Sequence, residues 1–418
     1  MKYQLNRCFV KTDPRSNVLW HTKTGQRMEV SEEALKVLSL FRKPKTFESA
    51  VQEIKASQAG KRRILRFLET LAAESLLVSE AELASHTSIA QLSPDDVLVE
   101  APKKTFFSCP EREVLALEDE DMVFLGVPFD LGTTGYPGAR FGPDRIRELS
   151  CDSFQYHADV FSGACRGWFS LEKRRVVLED TKMADVGNVL LQIGESFDAF
   201  YNRVTRLVEI LLEKKAFPVI VGGDHSSTYG VVRALKQRYD SLAVLHIDAH
   251  TDLGEILPGL PNNHGNVFTR IRNEALIDHL YQFGVRGLIG EPLIAEDYSL
   301  FSLGSLNKGG IGRVVTMVTT DSPCFISIDI DVIDPSFAPG TGTPAANGMT
   351  PNMLFSLVSS LVGKMWIVGF EVVEVNPMLD VNNRTSELVV EIIFRALADI
   401  FSPPQKTRGK KKNARNIS

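Results

Sequence analysis

LAVLHIDAHTD, residues 242–252, decides the fold. Its first half, Ala243–Ile247, is a short apolar run of the kind that forms a strand covered on both faces. Its second half, DAHTD, is acidic and carries a histidine. The pattern recurs. GGDH (Gly222–His225) follows Val219–Val221, DIDVID (Asp329–Asp334) follows Cys324–Ile328, and EVVEVNP (Glu371–Pro377) follows Trp366–Phe370. Apolar runs that each end in acid or imidazole bring chemistry to one edge of a parallel sheet, where α/β proteins build their sites. About five carboxylates gathered there would repel one another by several kcal/mol, and divalent cations are the usual remedy.

Working outward, Val123–Val127 and Leu280–Val285 are further strands, and Phe197–Lys214 and Thr350–Val362 read as helices between them. That alternation predicts an α/β fold with a parallel sheet and helices on both sides. If DAHTD is extended, Asp248, His250 and Asp252 share a face, as do Asp329 and Asp331. Asp334, just ahead of Pro335, is expected to be structural. Each motif alone has an ordinary reading as a turn, a cap or a solvated acidic loop. Together they call for two cations, and oxygen-rich ligation with imidazoles favours Mn²⁺ over zinc or copper.

A chain of 418 residues implies two or three domains. A net charge of −5 gives no general attraction to nucleic acid or to anionic membrane, and neither is an expected partner. Five cysteines (Cys8, Cys109, Cys151, Cys165, Cys324) have no CxxC spacing, which points away from a disulfide framework and towards a reducing compartment. With no apolar leader and no run long enough to span a bilayer, a soluble cytoplasmic protein is expected.

Residues 1–80 read as a unit of their own. Tyr3–Val10 and Val18–His21 look like strands. Ser31 caps a helix carrying Leu35, Leu38 and Phe41, and Thr46 caps another carrying Ala50, Val51 and Ile54. A third helix follows with Ile64, Leu65, Leu68 and Leu71 on one face, and a strand closes the unit at 76–78. The expectation is a small winged helix of α+β type. Fifteen Lys and Arg against nine Asp and Glu over residues 1–80 would suit DNA, but no helix interleaves Asn, Gln and Arg for base edges. Residues 81–120 read as a linker and 121–401 as the catalytic domain. Residues 402–418 read as a basic tail, expected to be disordered.

Over about residues 122–400 the chain resembles the ureohydrolases, the arginase and agmatinase group. The resemblance rests on the metal motifs above together with FLGVPFD (Phe124–Asp130), PGARFGPDRIR (Pro137–Arg147) and FAPGTGTPAANGMT (Phe337–Thr350). It implies a three-layer α/β/α sandwich around an eight-stranded parallel sheet, assembled as trimers or hexamers. It also implies two Mn²⁺ per subunit, one held by His225, Asp248, Asp252 and Asp329, the other by Asp248, His250, Asp329 and Asp331. Asp248 and Asp329 would bridge. His264 matches the family's proton shuttle, and Glu374 the carboxylate that pairs with a guanidinium. The implied reaction is hydrolysis of a guanidinium group to urea and an amine.

Three positions depart from hydrolases of free arginine. The family's readers of the α-carboxylate and α-amino groups are replaced by Gly254, Leu260 and Ile289. A site without those readers cannot favour the zwitterion. The N-terminal unit resembles winged-helix elements that bind the leader of a ribosomally made precursor peptide as an added strand. The expected substrate is therefore arginine within such a peptide, converted to ornithine. Agmatine or another small guanidino compound is the alternative.

Overall fold

The computed structural model describes residues 2–5, 9–11, 18–21, 27–42, 45–54, 58–73, 76–79, 98–157, 159, 164–256, 262–288 and 294–401. Leu260, Ile289, Cys8 and the basic tail lie outside the described residues. The chain divides into two compact units between Ala101 and Pro102.

In the N-terminal unit, Lys2–Leu5 pairs antiparallel with both Lys45–Thr46 and Leu77–Ser79. A second antiparallel sheet joins Phe9–Lys11, Val18–His21 and Arg27–Glu29. The helices Glu32–Ser39 and Phe47–Glu53 begin where capping chemistry predicts: Ser31 Oγ accepts from Ala34 N–H and Thr46 Oγ1 from Ser49 N–H, both at 3.1 Å. The third helix, Gln58–Ala73, starts four residues ahead of the expected position near 62. Ala34, Leu38, Phe41, Val51, Leu68 and Leu71 from these elements form a core of their own.

Among the described residues of the larger unit, eight strands pair in parallel within one sheet. Their spatial order is Tyr298–Phe301, His279–Phe283, Ala243–Ile247, Cys324–Asp329, Ile367–Val373, Phe217–Gly222, Met122–Val127 and Met183–Val189. The inner strands are buried along almost their whole length, as a sheet covered by helices on both faces requires. Phe106, Phe107 and Cys109 already belong to this unit's core, so packing begins ahead of residue 121. Among the described residues no helix is long and apolar enough to cross a membrane, and Cys109, Cys151, Cys165 and Cys324 are free.

Two features place the chemistry. All eight strands run the same way, so their C-terminal ends share one edge. Just short of that edge, Gln282, His246, Ser327 and Glu371 stand in register on four adjacent strands. All four are fully buried. Such a row of polar side chains inside a sheet is costly unless each is hydrogen-bonded.

Candidate metal centre

Beyond the ends of those strands, the structure brings the expected residues together. His225 opens a short 3-10 turn capped by Asp224. Its Nδ1 lies 3.2 Å from Asp248 Oδ2, 3.0 Å from Asp252 Oδ2 and 3.4 Å from Asp329 Oδ2. His250 Nδ1 lies 2.9 Å from Asp331 Oδ2 and 3.5 Å from Asp248 Oδ1. Asp248 thus turns one oxygen towards each histidine. Donor atoms of His225, His246, Asp248 and Asp252, and those of Asp248, His250 and Asp331, are spaced closely enough to hold a cation in each group. Asp334 lies apart, accepting the N–H groups of Ser336 and Gly348 at 3.0 and 2.8 Å.

The carboxylates disturb one another. Burial and the neighbouring charges of Asp331 and Asp248 hold the Asp329 carboxyl well above the usual range. Burial and Asp248 push Asp331 up to about 6. Burial opposes ionisation of Asp248 too, but His246, His225 and His250 outweigh it and hold that group well below its ordinary value. Hydrogen bonds to Asp248 and Asp331 push His250 up to about 12. Positive charge is in demand throughout the cluster.

His225 locates that demand on one atom. Ser327 Oγ donates to Glu371 Oε1 at 2.6 Å, so it accepts from His225 Nε2–H at 2.9 Å. With its proton on Nε2, the neutral imidazole has a bare lone pair on Nδ1. That atom is buried and makes no hydrogen bond. Burial opposes a charged ring, yet Asp248, Asp252 and Asp329 outweigh it and hold His225 well above its ordinary value, so the three carboxylates keep positive charge at that atom, as a proton or a metal ion. The donor set therefore fits a divalent metal.

A second group lies beside the first. Glu374 Oε1 accepts His225 N–H at 2.9 Å and meets His264 Nδ1 at 3.0 Å. Thr134 N–H donates to His264 Nε2 at 3.0 Å, which puts the single proton of a neutral ring on Nδ1, towards Glu374. Burial disfavours a charged His264, but Glu374 outweighs it and raises the pKa to about 9. The loop carrying Thr134 is tied down twice: Gly132 N–H donates to Asp224 Oδ2 at 2.7 Å, and Gly132 O accepts from His264 N–H at 2.9 Å.

Residues 120–398 match the arginase family over most of the larger unit. The chain belongs to the arginase family. It is 33% identical to the mitochondrial agmatinase of Gallus gallus over 295 residues, 67% of this chain and 81% of that protein. It is 32% identical to the mitochondrial guanidino acid hydrolase of Homo sapiens, over 67% of this chain and 78% of that protein. The solved structure of proclavaminate amidino hydrolase from Streptomyces clavuligerus superposes with a TM-score of 0.60 at 31% identity, covering 74% of this chain and 99% of that one. The family hydrolyses C–N bonds of linear amidines, and this member is an enzyme of that class.

Sequence reasoning missed Thr134, His246, Gln282 and Ser327. Two of them had a signal. His246 and Ser327 stand two residues before Asp248 and Asp329, so strand alternation puts each on the same face as the carboxylate that follows it.

Proposed function

We propose that this arginase-family chain is a dimanganese hydrolase that cleaves guanidinium groups to urea and an amine. The observation that carries this reading is the buried Nδ1 of His225 set among three carboxylates. His225, Asp248, Asp252 and Asp329 would hold one Mn²⁺, and Asp248, His250, Asp329 and Asp331 the other. When bound, such a pair supplies Lewis acidity that brings the pKa of water down towards neutrality, so that it can attack a carbon.

The protein's own groups do the rest. Glu374 has spent Oε1 on His225 and His264, which leaves Oε2 to orient the substrate guanidinium through a charge-assisted bond. One oxygen is available for this, not the pair that a two-point clamp needs. His264, whose pKa is raised to about 9, is protonated at neutral pH; it supplies a proton to the leaving nitrogen, which departs as a neutral amine while the ring returns to its neutral form.

We further propose that the substrate is an arginine side chain within a peptide, giving ornithine and urea. Gly254 supports this. Its N–H donates to Gly265 O at 2.8 Å, and a Cβ added at Gly254 would lie only 2.7 Å from that oxygen. A reader of the α-carboxylate has no room there, and an arginine whose α-groups are locked in amide bonds needs none. The N-terminal unit would hold the leader, with Arg27–Glu29 an edge strand for an added one. A second reading, a small guanidino substrate such as agmatine, is favoured by the likeness to the Gallus gallus agmatinase. The N-terminal unit would then be an assembly or regulatory domain.

One experiment separates them. The Mn²⁺-loaded full chain is incubated with agmatine, with free arginine and with an arginine-containing peptide bearing a leader. Release of urea with a loss of about 42 Da per arginine (CN₂H₂) on the peptide is expected. Urea from agmatine with an unchanged peptide selects the second reading. No urea from any of the three overturns both.

A further inference from the structure

His246 has the position of a metal ligand. It is fully buried, its ring packs 4.3 Å from that of Phe268, and its Nε2 sits 2.7 Å from Asp248 Oδ2, beside His225 and Asp252. Distance alone leaves two roles open: a lone pair offered to a cation, or a proton given to Asp248. The direction of the surrounding hydrogen bonds decides between them.

Thr251 O is a backbone carbonyl and can only accept. The Gln282 side-chain atom 2.6 Å from it is therefore the amide nitrogen. Gln282 Oε1 correspondingly takes the O–H of Tyr298 at 2.7 Å. The second hydrogen of the amide nitrogen points to His246 Nδ1 at 2.7 Å. Nδ1 accepts, so the one proton of neutral His246 is on Nε2, facing Asp248. No lone pair is left there for a metal.

We infer that His246 is a positioning residue and not a ligand: the relay Tyr298–Gln282–His246 fixes the orientation of Asp248, the carboxylate that faces both histidine groups. The inference rests on the two-metal reading above. Asp248 Oδ1 is held in the same way by His250 N–H at 2.5 Å. Each oxygen thus spends one lone pair on a protein donor and keeps the other for a cation. His225 is oriented by Ser327 and Glu371 of the same buried row. One row of side chains across four strands thereby fixes the orientation of a ligand in each direction.

The test uses the full chain with Mn²⁺ as probe. Metal stoichiometry and dissociation constants are measured for wild type, His246→Gln, His246→Phe and Gln282→Met, with melting of the metal-free proteins alongside. Glutamine places an amide N–H near the Nε2 position and still donates to Asp248. His246→Phe and Gln282→Met are expected to weaken Mn²⁺ binding about 10- to 100-fold, and His246→Gln to stay nearer to wild type than either. If His246→Gln loses as much as His246→Phe, the imidazole is a ligand and the inference is overturned. Unchanged affinity in Gln282→Met overturns it as well, even where His246→Phe fails to fold. Wild-type protein that binds fewer than two Mn²⁺ would instead refute the two-metal reading beneath it.

Discussion

Glu374→Gln tests the assignment of the guanidinium partner with little disturbance to the fold. The residue is held by its backbone, with N–H to Gly223 O at 2.7 Å, and by two bonds to Oε1, from His225 N–H at 2.9 Å and His264 Nδ1 at 3.0 Å. A glutamine whose amide oxygen takes the Oε1 position keeps both. Its NH₂ then replaces Oε2, the oxygen left for substrate. A guanidinium has only donors, so a charge-assisted bond becomes donor against donor. Loss of one hydrogen bond to a charged group costs about 2–3 kcal/mol. At about 1.36 kcal/mol per decade, kcat/KM should fall about 30- to 160-fold. The assay is urea release from whichever guanidino substrate the wild type accepts, read with metal content and melting temperature. Both of the latter should match wild type. A variant equally active with its metals in place would refute the role given to Glu374. A loss of activity accompanied by loss of metal would show that Glu374 acts through His225.

Ser327→Ala leaves His225 Nε2–H without an acceptor; Mn²⁺ affinity should fall about 10- to 100-fold, with about 1–3 kcal/mol lost in urea unfolding of the metal-free protein. His264→Asn should retain both metals while kcat falls about 10²- to 10⁴-fold, as loss of a proton donor requires; loss of metal instead would place His264 in the centre. In the metal-free protein His250 keeps its proton up to about pH 12 and Asp331 up to about 6. Ligation must displace these protons, so Mn²⁺ affinity should rise with pH, more steeply below about 6, and binding at neutral pH should release protons. Calorimetry in buffers of different ionisation enthalpy counts them, and none released would contradict the shifts. Gly254→Asn, crowded against Gly265 O, should cost about 1–3 kcal/mol in thermal stability and confer no hydrolysis of free arginine.

Much of the fold was legible because a strand buried on both faces is mostly apolar. Ala243–Ile247 and Cys324–Asp329 show this almost residue for residue. Met183–Val189 was not legible for the opposite reason. It carries Asp185 and Asn188, both buried against Arg147, whose guanidinium takes both Asp185 oxygens at 2.8 and 3.0 Å. An ion pair inside a sheet breaks the apolar run that identifies a strand. Tyr298–Phe301, at the sheet's edge, is too short and too half-exposed to stand out. The candidate ligands were legible because acids at strand ends are conspicuous. Of their supports, His246 and Ser327 were signalled only by standing two residues before Asp248 and Asp329, and a lone Gln inside a strand has no pattern of its own.

Alternation groups candidate ligands that the structure also groups, but not always by the same route. Extended geometry would put Asp248, His250 and Asp252 on one face, yet the strand ends at Ile247 and Asp252 sits at φ 50°. Its carboxylate reaches His225 through a left-handed turn instead of the pleat. Glu374 is also left-handed, at φ 65°. An aspartate tolerates that region better than most residues, whereas for a glutamate it costs about 1–2 kcal/mol. Glycine would adopt the same backbone freely but would supply no carboxylate. The strain at Glu374 is held by its bonds to Gly223, His225 and His264, all of which converge on the centre. Asp252 and Glu374 are two of the twelve described non-glycine residues at positive φ, and they are two whose side chains the proposed chemistry requires, so at these positions the site overrides local preference.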